Sequence, residues 1–372
     1  MERANVIIVG GGIVGCAIAA EVALHTKDVF VLEELPRVGM ATSSRNSGVI
    51  HSGVYYPPDS LKARHCVEGN RLTYEFCAAH GVPHKRTGKL IVATTAEKKT
   101  TLESLLARGK QNGVEGIELI AESELRRREP NVAGCCALRL ASTGLVDSEH
   151  LVKTYAALAQ QRGAHIATAA KLETVAPDSG FVRVSARQAG EMECRVLVNA
   201  VGLFADEVAA LCGNLRYTIY PCRGEYWEVV AAKAHLVNGL VYPAPDPSGH
   251  GLGVHLTKTL WGTLLVGPNA RYVNDKNDYE NALESRESFC ARARKLLPQL
   301  EPNDLRPAYS GLRAKLTPPD RHGAEDFVVA RDPAYPHIIH LVGIESPGLT
   351  AAPSLARHVS QLVRETLTGT TN

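Results

Sequence analysis

A glycine-rich turn near the amino terminus constrains the fold of this chain more than any other feature. Residues 6–9 are a short apolar run typical of a buried parallel strand, and Gly10, Gly12 and Gly15 follow it at G-x-G-x-x-G spacing. The first glycine permits a tight turn, the second lets the backbone approach a pyrophosphate, and the third lets a helix pack closely on the sheet. The pattern therefore predicts a strand, a phosphate-binding turn and a helix that starts near Ile13.

A second strand and an acidic residue extend this motif. Residues 29–32 predict the strand, and Glu33 follows it about 20 residues beyond the turn, where a carboxylate can accept a hydrogen bond from a ribose hydroxyl. The simpler alternative is a glycine-rich turn that binds nothing. Because the strand, the helix, the second strand and the terminal acid agree, the sequence favours a dinucleotide-binding unit with its helix dipole directed at the phosphates.

Length and composition narrow the class of protein. With 372 residues, 45% of them hydrophobic, the chain can bury more than one core, so we expect two interleaved domains. The net charge of +2 gives no electrostatic case for a nucleic-acid partner. The nine cysteines show no metal-ligand spacing, and their odd number argues against a disulfide framework. We therefore predict no metal site, and reduced thiols in the cytoplasm.

The amino terminus imitates a secretory signal, because Arg3 precedes an apolar, alanine-rich stretch. Cleavage anywhere after Ala17 would remove the glycine turn on which the later motifs depend. We therefore predict that this stretch is part of the mature fold and that the protein is not secreted. No run long enough for a transmembrane helix occurs elsewhere in the sequence.

Apolar periodicity predicts the elements that follow, with Gly81 closing one helix and Ser148 capping another. The predicted elements are a helix over 60–80, a strand over 89–93, helices over 96–112, 122–129 and 148–161, strands over 164–168, 172–175, 181–186 and 194–202, a helix over 205–211, antiparallel strands over 217–267, a helix over 277–297, strands over 327–330 and 338–343, and an amphipathic terminal helix. No internal repeat is present.

The predicted fold class is α/β, with a Rossmann-like cofactor-binding domain interleaved with a substrate domain of α+β type built on an antiparallel sheet. Residues 1–85, 143–215 and 320–372 are assigned to the discontinuous first domain. Residues 86–142 and 216–319 are assigned to the second domain.

Several segments together resemble the FAD-dependent D-amino-acid oxidase superfamily, and the resemblance covers essentially the whole chain. They are the glycine turn, Arg45-Asn46-Ser47-Gly48, 198–202, 311–313 and 343–350. Within that superfamily, residues 46–58, 60–63 and 262–269 resemble the branch of L-2-hydroxyglutarate oxidases and dehydrogenases. The resemblance implies FAD rather than NAD as the cofactor, and we expect the FAD to be bound dissociably.

FAD is long, so its adenosine end is expected along the glycine turn and Glu33 while its flavin ring lies between the domains. Helix capping alone is the simpler explanation for the polar segment 42–48 and for Ser346 and Pro347. The cofactor-binding residues that the resemblance implies are Gly10, Gly12, Ile13, Val14, Gly15, Glu33, Glu34, Thr42, Ser43, Arg45, Asn46, Ser47, Gly48, Leu172, Ala200, Val201, Gly202, Arg313, Gly343, Ser346, Pro347, Gly348, Leu349 and Thr350.

Oxidation of a 2-hydroxy acid requires a base that removes the hydroxyl proton while a hydride moves to the flavin. A neutral histidine suits this task because its pKa lies near the working pH. His51 is the first candidate because it directly follows the segment expected at the flavin, and His255 is the second. For both, the alternative is a histidine that only forms hydrogen bonds with the flavin or the backbone.

A dicarboxylate substrate needs cationic anchors, and arginine matches a carboxylate best. Arg313 and Lys315 are two residues apart, so on a strand both would face the same side. An interdomain salt bridge is the alternative for this pair. Weaker candidates for substrate contact are Tyr55, Arg223, Tyr242 and Lys258.

The function that the resemblance implies is oxidation of L-2-hydroxyglutarate or a related 2-hydroxy acid to the 2-oxo acid. Two alternatives remain open, which are an amine or amino-acid oxidase of the same superfamily and a non-catalytic flavoprotein. The electron acceptor is oxygen or a quinone. With a quinone, the cytoplasmic protein would contact the inner membrane peripherally.

Overall fold

Helices and strands both occur throughout the described residues, and the predicted α/β class is confirmed. The computed structural model describes residues 2–245, 253–321 and 325–369, and the other positions of the predicted ranges lie outside the described residues. The strands are, in chain order, β1 (Glu2–Val9), β2 (Val29–Leu32), β3 (Val49–Ile50), β4 (His84–Lys85), β5 (Lys89–Ala93), β6 (Ile117–Ala121), β7 (Cys136–Leu140), β8 (Gly144–Val146), β9 (His165–Ala167), β10 (Leu172–Pro177), β11 (Val182–Ala186), β12 (Gly190–Asn199), β13 (Tyr220–Val229), β14 (Leu240–Pro243), β15 (Leu256–Lys258), β16 (Leu264–Val266), β17 (Arg271–Tyr272), β18 (Leu305–Lys315), β19 (Val328–Arg331) and β20 (Ile338–Val342). The helices are α1 (Ile13–Val22), α2 (Leu61–His80), α3 (Lys99–Gln111), α4 (Glu122–Arg128), α5 (Ser148–Gln161), α6 (Ala205–Leu211), α7 (Arg286–Ala293) and α8 (Gly348–Thr368).

The first sheet has a parallel centre. Strand β1 pairs in parallel with β2 and β12, β2 pairs in parallel with β9, and β12 pairs in parallel with β20. Antiparallel strands β10, β11 and β19 extend it at its margins. Parallel strands end at the same edge of a sheet, so the residues that follow β1, β2, β12 and β20 meet along one edge. That edge is called the cofactor edge below.

The second sheet is largely antiparallel and runs in the order β17-β13-β16-β15-β14-β5-β7-β6, with β18 paired to β13. Apolar side chains of one face, such as Leu90 and Val92, pack against Phe289 of α7 and Leu125 of α4. On the opposite face, Ile91 lies in a second cluster with Leu102 of α3. A small third sheet contains β3, β8 and β4. We propose the two large sheets as the centres of the two predicted domains.

Two local predictions were wrong. The helix predicted over 277–297 is only α7, Arg286–Ala293, because side chains hold the preceding backbone in turns: the Asp278 carboxylate accepts from the Asn281 amide. The cap of α5 is Asp147 rather than Ser148, since Asp147 Oδ1 accepts a hydrogen bond from the His150 amide at 2.9 Å.

Within residues 2–245, 253–321 and 325–369, no helix combines the length and the apolar character that spanning a bilayer requires.

Candidate active site

The glycine turn lies at the cofactor edge, and its backbone packs too closely for side chains. A Cβ atom at Gly15 would lie 1.8 Å from the carbonyl oxygen of Gly10, and one at Gly10 would lie 2.6 Å from the carbonyl oxygen of Ala200. Gly10 also has a φ of +105°, which side chains disfavour. The turn therefore brings α1, with Ile13 and Val14 as its first residues, against the end of β12.

Glu33 holds the turn from the neighbouring strand. Its carboxylate accepts hydrogen bonds from the amides of Gly11 at 2.7 Å and Leu35 at 2.8 Å. Burial raises the pKa of Glu33, although these two bonds oppose the rise. Glu34 instead forms an exposed ion pair with Lys171. The sequence predicted that Glu33 binds a ribose hydroxyl, but it did not predict the hydrogen bond from the Gly11 amide. A backbone amide donor leaves no mark in the sequence.

The polar segment 42–48 joins the turn to the second sheet. Ser43 Oγ accepts a hydrogen bond from the Ile13 amide at 2.9 Å, and it thereby satisfies a donor at the start of α1. Thr42 donates to the carbonyl oxygen of Leu312 on β18. The Arg45 guanidinium lies 4.5 Å from the ring centroid of Tyr279.

The second half of this segment is also held by side chains. Asn46 Oδ1 accepts a hydrogen bond from the Gly48 amide at 2.8 Å, and Asn46 Nδ2 donates to the carbonyl oxygen of Ser43 at 2.7 Å. Ser47 Oγ is 2.8 Å from the hydroxyl oxygen of Tyr226 on β13. The segment thus combines the predicted capping role with a bridge between the two sheets.

Four further predicted cofactor residues follow other strands at the same edge, and a fifth begins a strand. Ala200, Val201 and Gly202 come directly after β12, and the Ala200 amide donates to the carbonyl oxygen of Val9 at 2.9 Å. Gly343 comes directly after β20. Leu172, at the start of β10, is buried in the apolar cluster of the first sheet.

His51 lies where the start of α8 meets the end of β3. Its amide donates to Thr350 Oγ1 at 3.0 Å, and Asn70 Nδ2 donates to its carbonyl oxygen at 2.8 Å. Its Nε2 is 3.5 Å from Ser346 Oγ, which shortly precedes Pro347, Gly348 and Leu349 at the start of α8. Burial, together with the charge of Lys89, lowers the pKa of His51 to about 3, so its imidazole is neutral.

His255 lies near His51 on the second sheet. Its ring stacks on the ring of Tyr242 with 3.7 Å between centroids, and its Nδ1 is 2.9 Å from the carbonyl oxygen of Gly253. Burial lowers the pKa of His255 to about 3, and the charges of Lys89 and Arg313 contribute to the shift. The structure thus brings both predicted histidines together with neutral rings, but a pKa of about 3 contradicts the expected pKa near the working pH, because desolvation disfavours the charged imidazole.

Arg313 and Lys315 lie near one buried acid, Glu345. Lys315 Nζ is 3.8 Å from the Glu345 carboxylate, and Lys62 Nζ is 3.0 Å from it. Burial alone would raise the pKa of Glu345, but the charges of Lys62, Lys315 and Arg313 outweigh burial and hold that pKa below its ordinary value. The Arg313 guanidinium also donates to the carbonyl oxygen of Asn269 at 3.1 Å. Two lysines share one carboxylate, so this cluster is positively charged.

The structure does not place Arg223 and Lys258 on the face of the second sheet that carries Arg313 and His255. Arg223 donates to Glu225 at 3.0 Å and to Asp278 at 2.7 Å, and its side chain is fully buried. It neighbours Cys222, the register partner of Arg313, so it points to the opposite side of β13. Lys258 is three residues from His255, so it points to the opposite face of the strand, and its Nζ donates to the carbonyl oxygen of Ala234.

Lys89 is a residue that sequence analysis missed. Its side chain is only 2% exposed, and its Nζ lies 4.7 Å from the ring centroid of Tyr55 and 4.4 Å from that of Tyr242. Burial lowers the pKa of Lys89 to about 7. In the sequence it occupies a predicted strand, and only its charge within that apolar run could have drawn attention to it.

The cofactor edge fits a dinucleotide. The glycine turn offers backbone where a Cβ at Gly10 or Gly15 would collide, α1 points its amino terminus at that edge, and the partly buried carboxylate of Glu33 follows the second strand. On the other side, α8 begins beside His51 and can place its positive dipole end against a negatively charged ring. These features match a ligand with a pyrophosphate, a ribose and a redox-active ring.

Comparison with known proteins agrees with this geometry. Residues 5–362 match the family described as FAD dependent oxidoreductase (DAO). The L-2-hydroxyglutarate dehydrogenase of Escherichia coli strain K12 is 32% identical over an alignment of 402 residues. The alignment covers 98% of this chain and 94% of that protein. The mitochondrial L-2-hydroxyglutarate dehydrogenase of Caenorhabditis elegans is 34% identical over 402 residues, covering 97% and 93%.

Solved structures show the same fold. Dithionite-reduced L-alpha-glycerophosphate oxidase from Mycoplasma pneumoniae, with FAD bound, superposes with a TM-score of 0.89 at 28% identity, covering 98% of this chain and 95% of that one. Glycine oxidase from Geobacillus kaustophilus superposes with a TM-score of 0.82 at 21% identity, covering 98% and 95%. From its full-length family match and its site, the chain belongs to the FAD dependent oxidoreductase (DAO) family and is an enzyme whose cofactor is FAD.

Proposed function

We propose that this oxidoreductase converts L-2-hydroxyglutarate, or a close 2-hydroxy acid, to the corresponding 2-oxo acid. Near-full-length relatives from bacteria and animals carry the name L-2-hydroxyglutarate dehydrogenase. The observation that carries the proposal is the position of His51, which is partly buried with its Nε2 3.5 Å from Ser346 Oγ, just before α8, in a site bordered by positive charge. A neutral imidazole can accept the hydroxyl proton of a hydroxy acid, and the neighbouring cations can hold its carboxylate.

The proposed proton acceptor is His51. Its Nε2 is directed toward Ser346, while its backbone is fixed by Thr350 and Asn70. A fixed imidazole loses little freedom when it accepts the hydroxyl proton, so the geometry favours a base over a mobile surface histidine. Bound FAD supplies the two-electron acceptor for the hydride. His255 is the second candidate, and its stacking on Tyr242 holds its ring in place.

The proposed substrate anchors are Arg313 and Lys315. Both belong to β18 and interact with Glu345, which leaves a net positive charge on this side of the site. A guanidinium can hold a carboxylate in two hydrogen bonds and so orient the adjacent carbinol. Tyr55 and Tyr242 are proposed as further contacts. The roles of the predicted FAD residues remain part of the same proposal.

We also propose oxygen or a quinone as the electron acceptor, and no nucleic-acid partner. The proposed location is the cytoplasm, with peripheral contact at the inner membrane if the acceptor is a quinone. The nearly balanced net charge supports the absence of a nucleic-acid partner, and the nine unpaired cysteines support a reducing compartment.

A second candidate substrate is L-alpha-glycerophosphate, because the oxidase that bears this name superposes at 28% identity. Like a 2-hydroxy acid, L-alpha-glycerophosphate combines a carbinol with an anionic group. The choice between a carboxylate and a phosphate depends on the anion site, which a substrate panel can resolve.

The test is anaerobic reduction of the purified holoenzyme. L-2-hydroxyglutarate, its D-enantiomer, L-alpha-glycerophosphate and a set of amino acids are mixed separately with the enzyme, and flavin absorbance is followed. The proposal expects rapid bleaching by L-2-hydroxyglutarate with formation of 2-oxoglutarate, and no bleaching by its enantiomer. Bleaching by an amino acid or by L-alpha-glycerophosphate, with none by L-2-hydroxyglutarate, would show that the proposed substrate is wrong.

A further inference from the structure

One face of the second sheet carries a row of polar side chains that includes His255. Directly paired residues on neighbouring strands point to the same side, and side chains along a strand alternate. Tyr242 pairs with Ile91, two residues beyond Lys89, and Val241 pairs with Leu256, which follows His255. At the other end of the sheet, Arg313 pairs with Cys222. The shared face therefore carries, in sheet order, Arg313, Tyr226, His255, Tyr242 and Lys89.

Lys89 occupies an enclosure at one end of this row. Among the residues that the structure describes, none provides its Nζ with a hydrogen bond or an ion pair. The rings of Tyr55 and Tyr242 lie close to the ammonium group, and the Tyr55 hydroxyl is likewise buried without a hydrogen-bond partner in the described parts of the chain. We call Lys89, Tyr55 and Tyr242 the lysine enclosure.

The enclosure is held by elements outside the sheet. Helix α3 fixes the backbone around Tyr55, because Asn112 Nδ2 donates to the carbonyl oxygens of Gly53 at 3.0 Å and Tyr56 at 2.9 Å. The Arg108 guanidinium donates to the carbonyl oxygen of Tyr55 at 3.2 Å. Tyr55 is therefore placed against Lys89 by the backbone rather than by a contact of its hydroxyl group.

A buried ammonium without an anion is costly, since neither aromatic faces nor apolar neighbours replace the lost hydration. Natural folds pair such groups, as this chain does at Lys62, which is also almost fully buried and is 3.0 Å from Glu345. Lys89 differs from Lys62 because no carboxylate in the described parts of the chain pairs with its ammonium group. A ligand carboxylate would satisfy both the ammonium and the phenol hydroxyl.

The order of the strands places a second cation, Arg313, on the same face as the lysine enclosure. Arg313 on β18 and Lys89 on β5 lie on opposite sides of His255 along the same face of the sheet. The charges of both lower the pKa of His255, so both act on the space around that ring. A substrate with a carboxylate at each end would meet one cation at each end.

We propose that Lys89 and the Tyr55 hydroxyl bind the second carboxylate of the substrate, distal to the carbinol, and thereby select dicarboxylates over monocarboxylates. This role deepens the proposed function, since it explains which 2-hydroxy acid the site accepts. Arg313 takes the carboxylate next to the carbinol, and His51 faces the hydroxyl between them. Lys89 binds and positions the substrate, and it takes no part in proton transfer.

The experiment measures ligand binding to the holoenzyme rather than turnover. Glutarate has two carboxylates and no hydroxyl, and pentanoate has the same chain length with one carboxylate. Each is titrated into wild type and Lys89→Met while the flavin spectrum is recorded. We expect wild type to prefer glutarate, and Lys89→Met to bind glutarate about 100-fold more weakly with its pentanoate affinity unchanged.

Matched variants separate binding from folding. Lys153→Met removes an exposed lysine on α5 that pairs with Glu149, and it should leave both affinities unchanged. Tyr55→Phe keeps the ring and removes only the hydroxyl, so it should weaken glutarate binding about tenfold without loss of flavin. If Lys89→Met does not fold, Tyr55→Phe carries the test. Lys89→Arg should restore part of the glutarate preference.

Retention of the glutarate preference in Lys89→Met and Tyr55→Phe would overturn the proposal. An equal loss of glutarate and pentanoate binding would also overturn it, because Lys89 would then support the site as a whole. The result does not depend on which acid is oxidised. If L-2-hydroxyglutarate fails to reduce the wild type while Lys89→Met loses the glutarate preference, the proposed function is wrong and the carboxylate site stands.

Discussion

The cofactor edge and the lysine enclosure are built in opposite ways. At the cofactor edge, backbone packs on backbone, and the polar side chains have partners within the chain: Glu33 accepts from Gly11, and Ser43 accepts from Ile13. In the lysine enclosure, side chains from separate strands converge, and Lys89 is left without a partner among the described residues.

This difference reflects two tasks, which are binding of one cofactor and selection among similar substrates. A pyrophosphate is recognised by backbone amides and close approach, so glycines and a helix terminus suffice. A dicarboxylate is distinguished from a monocarboxylate only by a charge at the correct place. The cation must therefore stay unpaired until the substrate arrives, and its burial makes the selection strong.

The largest expected effect is at the glycine turn. In Gly15→Ala, the new Cβ would lie 1.8 Å from the carbonyl oxygen of Gly10, where only a shift of α1 could make room. We expect a loss of about 3 kcal/mol of unfolding free energy and no retained FAD, measured by thermal unfolding and by flavin content. Gly180→Ala is the control, because a Cβ there meets nothing within 4 Å. A stable, flavin-loaded Gly15→Ala protein would contradict the close packing.

Replacement of the proposed base should affect chemistry and leave the cofactor bound. In His51→Ala we expect flavin reduction by L-2-hydroxyglutarate to slow by about 10²- to 10⁴-fold, because the general base is removed. Stopped-flow absorbance under anaerobic conditions measures this rate. His150→Ala changes an exposed histidine on α5 and serves as the control. Reduction of His51→Ala at the wild-type rate would assign the proton transfer to another group, with His255 tested next.

The pH dependence follows from the two buried groups. Lys89 has a lowered pKa of about 7, so the free enzyme holds the cation below that pH and loses it above. We expect kcat/KM for L-2-hydroxyglutarate to fall about tenfold per pH unit above the pKa of Lys89, and the fall to vanish in Lys89→Met. His51, with a pKa of about 3, stays neutral, so it adds no decrease between about pH 5 and about pH 7. An unchanged alkaline decrease in Lys89→Met would separate that titration from Lys89.

The smallest effect is expected at the cap of α1. Ser43→Ala leaves the Ile13 amide without its acceptor at 2.9 Å and should lower the free energy of unfolding by about 1 kcal/mol. Thermal unfolding of the holoenzyme measures the loss. Ser44→Ala is the neighbouring control, since Ser44 Oγ donates only to loop carbonyls, those of Met40 and Ala41. Equal stability of Ser43→Ala and wild type would show that water replaces the Ser43 hydroxyl without cost.

The cofactor edge was visible in the sequence because its determinants are local. Gly10, Gly12 and Gly15 report the turn by spacing alone, and Glu33 reports the end of β2 by its position after an apolar run. The α/β class follows from the same alternation of strands and helices. The pairing of Arg313 and Lys315 on one side of β18 follows from the period of a strand.

The lysine enclosure was not visible because no local pattern encodes it. Lys89 and Tyr242 are far apart in sequence, and they meet only because β5 and β14 pair in parallel. The sequence also could not exclude Arg223, whose charge is satisfied by Glu225 and by Asp278 from a distant loop. The boundary of α7 was missed for a local reason, since side chains within the predicted range, such as the Asp278 carboxylate that accepts from the Asn281 amide, hold its first residues in turns.

The most direct measurement is a crystal structure of the holoenzyme with glutarate bound. Our account expects the FAD pyrophosphate at the glycine turn, the flavin ring beside His51, and one glutarate carboxylate about 3 Å from Lys89 Nζ. The other carboxylate should contact Arg313. Glutarate bound away from the lysine enclosure, with Lys89 still unpaired beside an ordered flavin, would contradict the division of roles between the two sheets.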